Sequence, residues 1–322
     1  MPSNTERLRR LYEQFSPDDR VLIPIFADPD SIGSAMAMKR LLWRKVAGVT
    51  ITNINEVKRP DNLAMIRLLG VKLVPFEGLN TGDFTRFVIV DSQPDHHKSF
   101  AAFDYSVIID HHPLTGATAP FTDIRPQYGA TSSIMTEYLK AARIKPSIML
   151  ATGLFYGIKT DTSNFERQTL PEDLRAFQYL FRFINVTLAR KIEYSEITID
   201  FLKYYQIALE NKCIVKDRVY VTLGPVENPD VCVLIADFFM KIARIDWTFI
   251  AGLYDDHLVV IIRNNGIRKD AGRLAAHGFG DIGSAGGHKS TARAEIPYVN
   301  LKNLVDFRDP RRLIRWIIKR TH

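Results

Sequence analysis

Four short segments of this 322-residue sequence carry acids and imidazoles of the kinds that bind metal ions. They are Asp28 and Asp30 in FADPDSIGS, Asp91 in VIVDSQP, Asp110 with His111 and His112 in VIIDHHP, and Asp161 in GIKTDTSNF. A single aspartate after an apolar run is commonplace, because it caps the helix that follows. Several at neighbouring strand ends would converge on one edge of a sheet, where their mutual repulsion is costly unless a cation is bound. Carboxylates and water alone suit magnesium or calcium, whereas carboxylates with imidazole suit manganese, iron, cobalt or zinc. Such an ion polarises a phosphoryl oxygen, lowers the pKa of a bound water and neutralises developing charge, so that no side-chain nucleophile is required.

The triplet Asp95-His96-His97 repeats the letters of Asp110-His111-His112. It stands in the polar stretch SQPDHHKS and is expected to be a solvated loop. Asp110-His111-His112 has the better setting, because Val107-Ile108-Ile109 reads as the buried strand that delivers it.

The elements that must position these residues alternate between apolar runs and helical patterns. Strands are expected at Val21 to Phe26, Val49 to Ile54, Lys72 to Phe76, Phe87 to Val90 and Val107 to Ile109. Helices are expected at Ile32 to Trp43, Asn62 to Leu69, Ser132 to Ala142, Ser147 to Lys159 and Leu170 to Phe183. This alternation predicts an α/β fold, a parallel sheet with helices on both faces, whose ligands bind beyond the carboxyl ends of the strands. A single connecting helix is expected within residues 191–212. From 213 the character changes: Cys213 to Leu223 reads as a strand and Val231 to Ile242 as a helix. Trp247 to Tyr254 and Leu258 to Ile262 then form a strand pair turned at Asp255-Asp256. The expected organisation is a catalytic domain over 1–190 and a smaller α/β substrate-binding domain over 213–322.

Composition narrows the classes. An apolar share of 46% with 25% charged residues is that of a globular protein with a large core. Only Cys213 and Cys232 are present, too few for a disulfide scaffold or a zinc cluster. No apolar run approaches a membrane span, and MPSNTERLRRLYEQF is an amphipathic surface helix rather than a signal peptide; a cytoplasmic protein is the expectation. The net charge of +7 points only weakly to an anionic partner. The basic run Arg308 to Arg320 reads as a terminal helix packed on its own domain, with a homodimer contact or a nucleic-acid contact as its other uses.

In their order, the four acidic segments resemble the signature of the DHH phosphoesterase superfamily. That superfamily includes RecJ-type exonucleases, nanoRNases, adenosine-bisphosphate phosphatases, cyclic-dinucleotide phosphodiesterases and manganese pyrophosphatases. Gly283-Ser284-Ala285-Gly286-Gly287-His288 is similar to the glycine-rich segment of the DHH-associated C-terminal domain. The resemblance implies that Asp30, Asp91, His111 and Asp161 bind one Mn2+ ion, with Mg2+ or Co2+ as alternatives. Asp91 would bridge to a second ion that Asp28 helps to hold. His112 would sit beside the metals, against the scissile phosphate or orienting the nucleophile, with Asp110 in the same catalytic set. Arg263, Gly286, Gly287 and His288 would bind substrate, the glycines by letting backbone N–H groups approach a phosphate closely.

One position departs from the pattern. Where the nanoRNase and pyrophosphatase branches have a histidine four residues before the first acid, this chain has Pro24, which cannot bind a metal. The second site would then be weak. The expected function is hydrolysis of short RNA or dinucleotides such as pApA, with adenosine 3′,5′-bisphosphate as a further substrate, in a cleft between two domains. The alternatives are a cyclic-dinucleotide phosphodiesterase and a nucleotide-binding or regulatory protein with weakened catalysis.

Overall fold

The computed structural model describes residues 3–166, 169–194, 199–267 and 269–321. The chain divides into two compact units, Met1–Glu196 and Ile197–His322.

In the first unit the order is α1 (Asn4–Tyr12), β1 (Arg20–Ile25), α2 (Pro29–Leu41), β2 (Gly48–Asn53), α3 (Pro60–Leu69), β3 (Leu73–Pro75), β4 (Arg86–Val90), β5 (Tyr105–Asp110), β6 (Phe121–Ile124), α4 (Thr131–Ala141), α5 (Ile148–Asp161), α6 (Pro171–Phe181) and α7 (Val186–Glu193). The six strands form one sheet in the order β3-β2-β1-β4-β5-β6, and every neighbouring pair is parallel. A parallel sheet is covered on its faces, which is why β1 reads as an unbroken apolar run with five buried residues in succession. Val21, Ile23 and Ile25 pack with Val88, Val90, Val107 and Ile109 against Ile32, Ile134 and Leu154 of the flanking helices. On the opposite face, Ile89 and Ile108 pack against Phe100 from the β4–β5 connection.

The strand order reverses at β1 and β4. From β1 the chain winds outward to β2 and β3, then returns to place β4 on the other side of β1. Such a switch point opens a crevice at the carboxyl ends of the two strands. Asp28 and Asp30 follow β1, and Asp91 follows β4 directly. β1 pairs with β4 at Val21 and Leu22, and Pro24, with no N–H to give, lies beyond that pairing.

The second unit holds α8 (Leu202–Asn211), β7 (Cys213–Val215), β8 (Arg218–Pro225), α9 (Asp230–Phe239), β9 (Trp247–Tyr254), β10 (His257–Asn264), α10 (Ala271–Phe279), β11 (Ser284–Gly287), β12 (Thr291–Pro297), α11 (Tyr298–Leu301) and α12 (Pro310–Arg320). Its sheet runs β11-β12-β10-β9-β8-β7, with β8 and β9 the one parallel pair among the described strands. Tyr220, Phe249, Val260 and Ile262 face α10 and α12 across one core, and Val219, Val221, Ile250 and Ile261 face α8 and α9 across another. The basic helix α12 buries Leu313, Ile314 and Ile317 in the first of these cores, as an amphipathic stripe requires.

Two expectations are corrected here. The segment Cys213 to Leu223 is a hairpin, not one strand, because Lys216 turns the chain at φ 57°. Residues 191–212 are not one helix: α7 ends at Glu193 with Tyr194 off helical geometry, and α8 begins at Leu202. Residues 195–198 of that stretch lie outside the described residues. Among the described residues, no helix is long and apolar enough to cross a membrane.

Candidate metal centre

The site begins with the chain leaving β1. Ala27 is held between two asparagines: its N–H donates to Asn55 Oδ1, and its carbonyl accepts from Asn62 Nδ2. Asp28 is the N-cap of α2 and closes a capping box with Ser31, followed by Pro29 at the first helical position. That geometry sends Asp30 inward from the first turn of α2, where it is almost wholly buried. Its two oxygens accept the backbone N–H groups of Thr131 and Ser132, each at 2.7 Å. Helix α4 starts after Ala130, which has no side chain to cap it, so Asp30 does so from 101 residues away.

Asp91 takes a left-handed backbone, φ 59°, directly at the end of β4. A non-glycine residue in that region is strained, and such strain gathers at functional positions. The turn is held on both sides: its N–H donates to Ile109 O, and its Oδ1 accepts from Thr131 Oγ1 at 2.9 Å.

From the end of β5, His111 extends over the same crevice. Its Nδ1 lies 3.1 Å from Tyr128 O and donates to that carbonyl, which leaves Nε2 as the reactive nitrogen. Nε2 stands 2.8 Å from Asp161 Oδ2 and 3.6 Å from Asp91 Oδ1. It is buried and lacks the alignment of a hydrogen bond to either oxygen. Ligand atoms of Asp30, His111 and Asp161 lie within 4.8 Å of one another, as do those of Asp91, His111 and His112. A lone pair on Nε2 pointing among carboxylates is repulsive in water-poor surroundings. It becomes favourable when a cation occupies the point on which they converge.

The acid–base state of the site agrees. Burial, together with the nearby charges of Asp161 and Asp30, pushes Asp28 up to about 6. Asp30 rises through burial and the Asp161 charge, and Asp91 stands well above the ordinary carboxylate range through burial and the charges of Asp30 and Asp28. Burial opposes the charged form of His111, but Asp161 and Asp30 outweigh it and bring the imidazole to about 9. Protons thus take the place that a divalent cation would fill, and this donor set of carboxylates with one imidazole fits such a cation.

The remaining expected residues separate. Asp161 is the last residue of a helix, α5, and not a strand end; it reaches the site because α5 packs closely against α2. An added Cβ on Gly157, one turn earlier, would stand 3.0 Å from Asp30 Cα and 3.1 Å from Pro29 O. Asp110 is fully buried: Oδ1 accepts from His111 N and His112 Nδ1, both at 2.8 Å, and Oδ2 accepts from Gln93 Nε2 at 2.7 Å. With both oxygens engaged it cannot touch a substrate, so it positions His112 and is not itself a reacting group. His112 is partly exposed, and with Nδ1 taken by Asp110 its open nitrogen is Nε2.

In the second unit, Arg263 is paired with Asp237 through Nε at 3.1 Å and donates from Nη1 to Ile262 O. It is no free guanidinium fork. Gly286 and Gly287 form the edge strand β11 rather than an open turn. Gly287 is required by packing, since at φ 148° a Cβ would fall 2.3 Å from Thr291 O; around Gly286 there is open space. His288 is exposed, with its backbone N–H on Thr291 O.

Sequence reading missed two contributors. Gln93 is wholly buried and uses both donors and both acceptors, binding Asp110 Oδ2, Pro113 O, Thr115 N and Thr115 Oγ1. His96, read as part of a solvated loop, is indeed exposed, yet its ring stands edge-on to His112 with centroids 5.4 Å apart. Gln93, two residues after Asp91, was the available signal, a buried amide that ties the β4 loop to the β5 loop.

Fold and site together define an α/β protein with a cluster of carboxylates and imidazoles, able to hold a metal ion, at a sheet switch point. Residues 21–158 match the DHH family, N-terminal domain. It is 33% identical over 314 residues to an uncharacterized protein of Methanocaldococcus jannaschii, covering 97% of this chain and 65% of that protein. It is 25% identical over 310 residues to the A-adding tRNA nucleotidyltransferase of Geobacter sulfurreducens, covering 86% of this chain and 32% of that protein. The chain therefore spans less than two thirds of either relative. An exopolyphosphatase-related protein from Bacteroides fragilis shares the fold with a TM-score of 0.70 and 16% identity, 90% of each chain being covered. Exonuclease RecJ bound to manganese does so at 0.53 and 12%, with 100% of this chain and 94% of that one covered.

Proposed function

We propose that the protein is a metal-dependent phosphoesterase that uses manganese to hydrolyse short oligonucleotides or dinucleotides such as pApA. Adenosine 3′,5′-bisphosphate is a further substrate of the same chemistry. The observation that carries this reading is His111, pinned through Nδ1 by Tyr128 O so that Nε2 faces Asp161 and Asp91 among buried acids.

Asp30, Asp91, His111 and Asp161 would hold one ion, and Asp28 with Asp91 a second, weaker one. A bound divalent ion supplies Lewis-acid polarisation of the phosphoryl oxygen and acidifies water. The chain's own groups do the rest. Asp110 holds His112 so that Nε2 meets the phosphate, and Gln93 holds Asp110. The mixed oxygen and nitrogen donors favour manganese over magnesium, and the manganese of the RecJ structure is in keeping with that choice. The short substrate rests on the resemblance of the Gly283–His288 run to the small-substrate branch of the family, with the second unit as the substrate-binding domain.

One observation favours a second reading, a nucleotide-binding protein with weakened catalysis. Pro24 is buried within β1 and leaves the Asp28 and Asp91 pair without an imidazole. Hydrolysis assays with Mn2+ separate the two readings, using pApA, longer oligoribonucleotides, adenosine 3′,5′-bisphosphate, cyclic di-AMP and pyrophosphate. Turnover of a nucleotide class that Asp161→Asn abolishes supports the enzyme. Nucleotide binding without turnover, in a manganese-loaded protein, transfers the reading to the second.

A further inference from the structure

His96 is an exposed imidazole with a fixed orientation beside the centre, and none of the roles above uses it. Its Nδ1 accepts the backbone N–H of Gln93 at 3.3 Å and lies 3.2 Å from Ser92 Oγ. An Nδ1 that accepts from an amide carries a lone pair, so the proton of the neutral ring is on Nε2. His112 is held the opposite way, donating from Nδ1 to Asp110 Oδ1. The two rings meet edge to face, at 78° with centroids 5.4 Å apart. They therefore present two Nε2 atoms of complementary character: a donor on His96 and, on neutral His112, a lone pair.

The scaffold behind this pair is rigid. Gln93, saturated by its four hydrogen bonds, ties the loop bearing His96 to the loop bearing Asp110 and His112. His96 itself ends a one-turn 3-10 helix, Pro94–His96. Ligand atoms of His96, Asp110 and His112 fall within 4.8 Å of one another, the spacing of a metal site. A metal does not suit them: both Asp110 oxygens and the Nδ1 of each ring are already engaged in hydrogen bonds within the chain. What remains is an N–H donor aimed outward next to His112, the arrangement that receives an anionic oxygen.

We propose that His96 is a substrate-binding residue whose Nε2–H donates to a non-bridging oxygen of the phosphate that His112 also meets. This rests on the phosphoesterase reading for the identity of the anion, and its test does not depend on turnover.

The experiment measures binding of AMP by calorimetry to the manganese-loaded full chain, beside Mn2+ binding to the same variants. His96→Asn keeps a side-chain acceptor near the Nδ1 position for the Gln93 N–H and loses the reach of Nε2. His96→Gln keeps an N–H near the Nε2 position. His96→Asn and His96→Ala are expected to raise the Kd for AMP about tenfold, the worth of one charge-assisted hydrogen bond. His96→Gln should recover most of that loss, and all three variants should bind Mn2+ as the parent does. The proposal is overturned if His96→Asn binds AMP like the parent, if Mn2+ binding falls in step with AMP binding, or if the parent binds no AMP. Normal AMP binding with no turnover of any phosphoester would remove the enzyme reading and leave the His96 result standing.

Discussion

Asp30 caps a helix to which it does not belong, with Thr131 N and Ser132 N each 2.7 Å from one of its oxygens. Asp161, by contrast, closes its own helix from the C-terminal end and remains about one third exposed. The two ligands therefore differ in what they do for the fold. Asp30→Asn would turn an amide N–H against a backbone N–H, costing about 1–3 kcal/mol as well as metal binding. In Asp161→Asn a negative charge leaves a helix C-terminus, where the helix dipole disfavours it by about 0.3–1 kcal/mol. Metal-free Asp161→Asn loses the pairing with His111 but gains at the helix end, so it should be less destabilised than Asp30→Asn, yet inactive. Denaturant titration of both variants with chelator present decides this, and equal destabilisation would refute the assignment.

The titration of the centre makes a signed prediction about pH. An acid whose pKa is raised on folding holds more protons in the native state, so stability falls as pH rises through that pKa. For Asp28 the window runs from about 4, its unfolded value, to about 6; Asp30 and Asp91 act in the same direction. His111, raised to about 9, stabilises fully below its unfolded value of about 6.5 and loses that contribution as pH climbs through 9. Both signs agree: metal-free protein should melt at a higher temperature near pH 5.5 than near pH 8. Manganese requires the deprotonated ligands, so the loaded protein should show the opposite order. Scanning calorimetry at both pH values, with chelator and with Mn2+, checks it; the same order in both states would show that these groups do not hold the ion.

Part of this was legible in the sequence and part was not, for physical reasons. A strand buried on both faces is an apolar run, and an acid that follows it stands at the sheet's carboxyl edge. Hence the positions of Asp28, Asp30, Asp91 and Asp110 with its histidines are legible in the sequence itself. Asp161 was grouped with the strand-end acids although the helix expected over Ser147 to Lys159 runs up to it, since GIKTDTSNF shows an acid after apolar residues whichever element precedes it. Thr131 and Ser132 carry no signal of their pairing with Asp30, which is made by backbone N–H groups a hundred residues away. His96 lies in a polar run and is exposed; only the buried Gln93 relates it to His112. In the second unit, β11 and β12 went unread because SAGG and TARAEIP lack the unbroken apolar character of the parallel strands.

Gly157 tests whether the approach of α5 to α2 sets the position of Asp161. A methyl group there would meet Asp30 Cα at 3.0 Å and Pro29 O at 3.1 Å, neither of which can rotate away, and Ser132 Oγ at 2.6 Å, which can. Gly157→Ala should push the helices apart at a cost of about 1–3 kcal/mol and weaken Mn2+ binding by about tenfold or more. Gly153→Ala, one turn earlier in the same helix, meets chiefly the flexible ends of Leu69 and Met36. It gains the same helix propensity, about 1 kcal/mol, and should bind Mn2+ normally. Isothermal titration of both variants with Mn2+ separates them; equal affinities would show that α5 position does not govern the site.

Arg263 and His288 make a contrast within the second unit. The Arg263 guanidinium is held by Asp237 Oδ1 at 3.1 Å, whereas the imidazole of His288 is exposed. If both serve a substrate phosphate, the arginine must exchange a carboxylate for it, and removing that competitor should help. Asp237→Asn is therefore expected to lower KM several-fold with kcat unchanged, the pattern of stronger uniform binding. Arg263→Ala should raise KM about tenfold, and His288→Ala should also act through KM while leaving Mn2+ binding intact. A fall in kcat at constant KM for His288→Ala would instead place it at the reacting phosphate. An Asp237→Asn protein with unchanged or raised KM would show that Arg263 remains a structural ion pair.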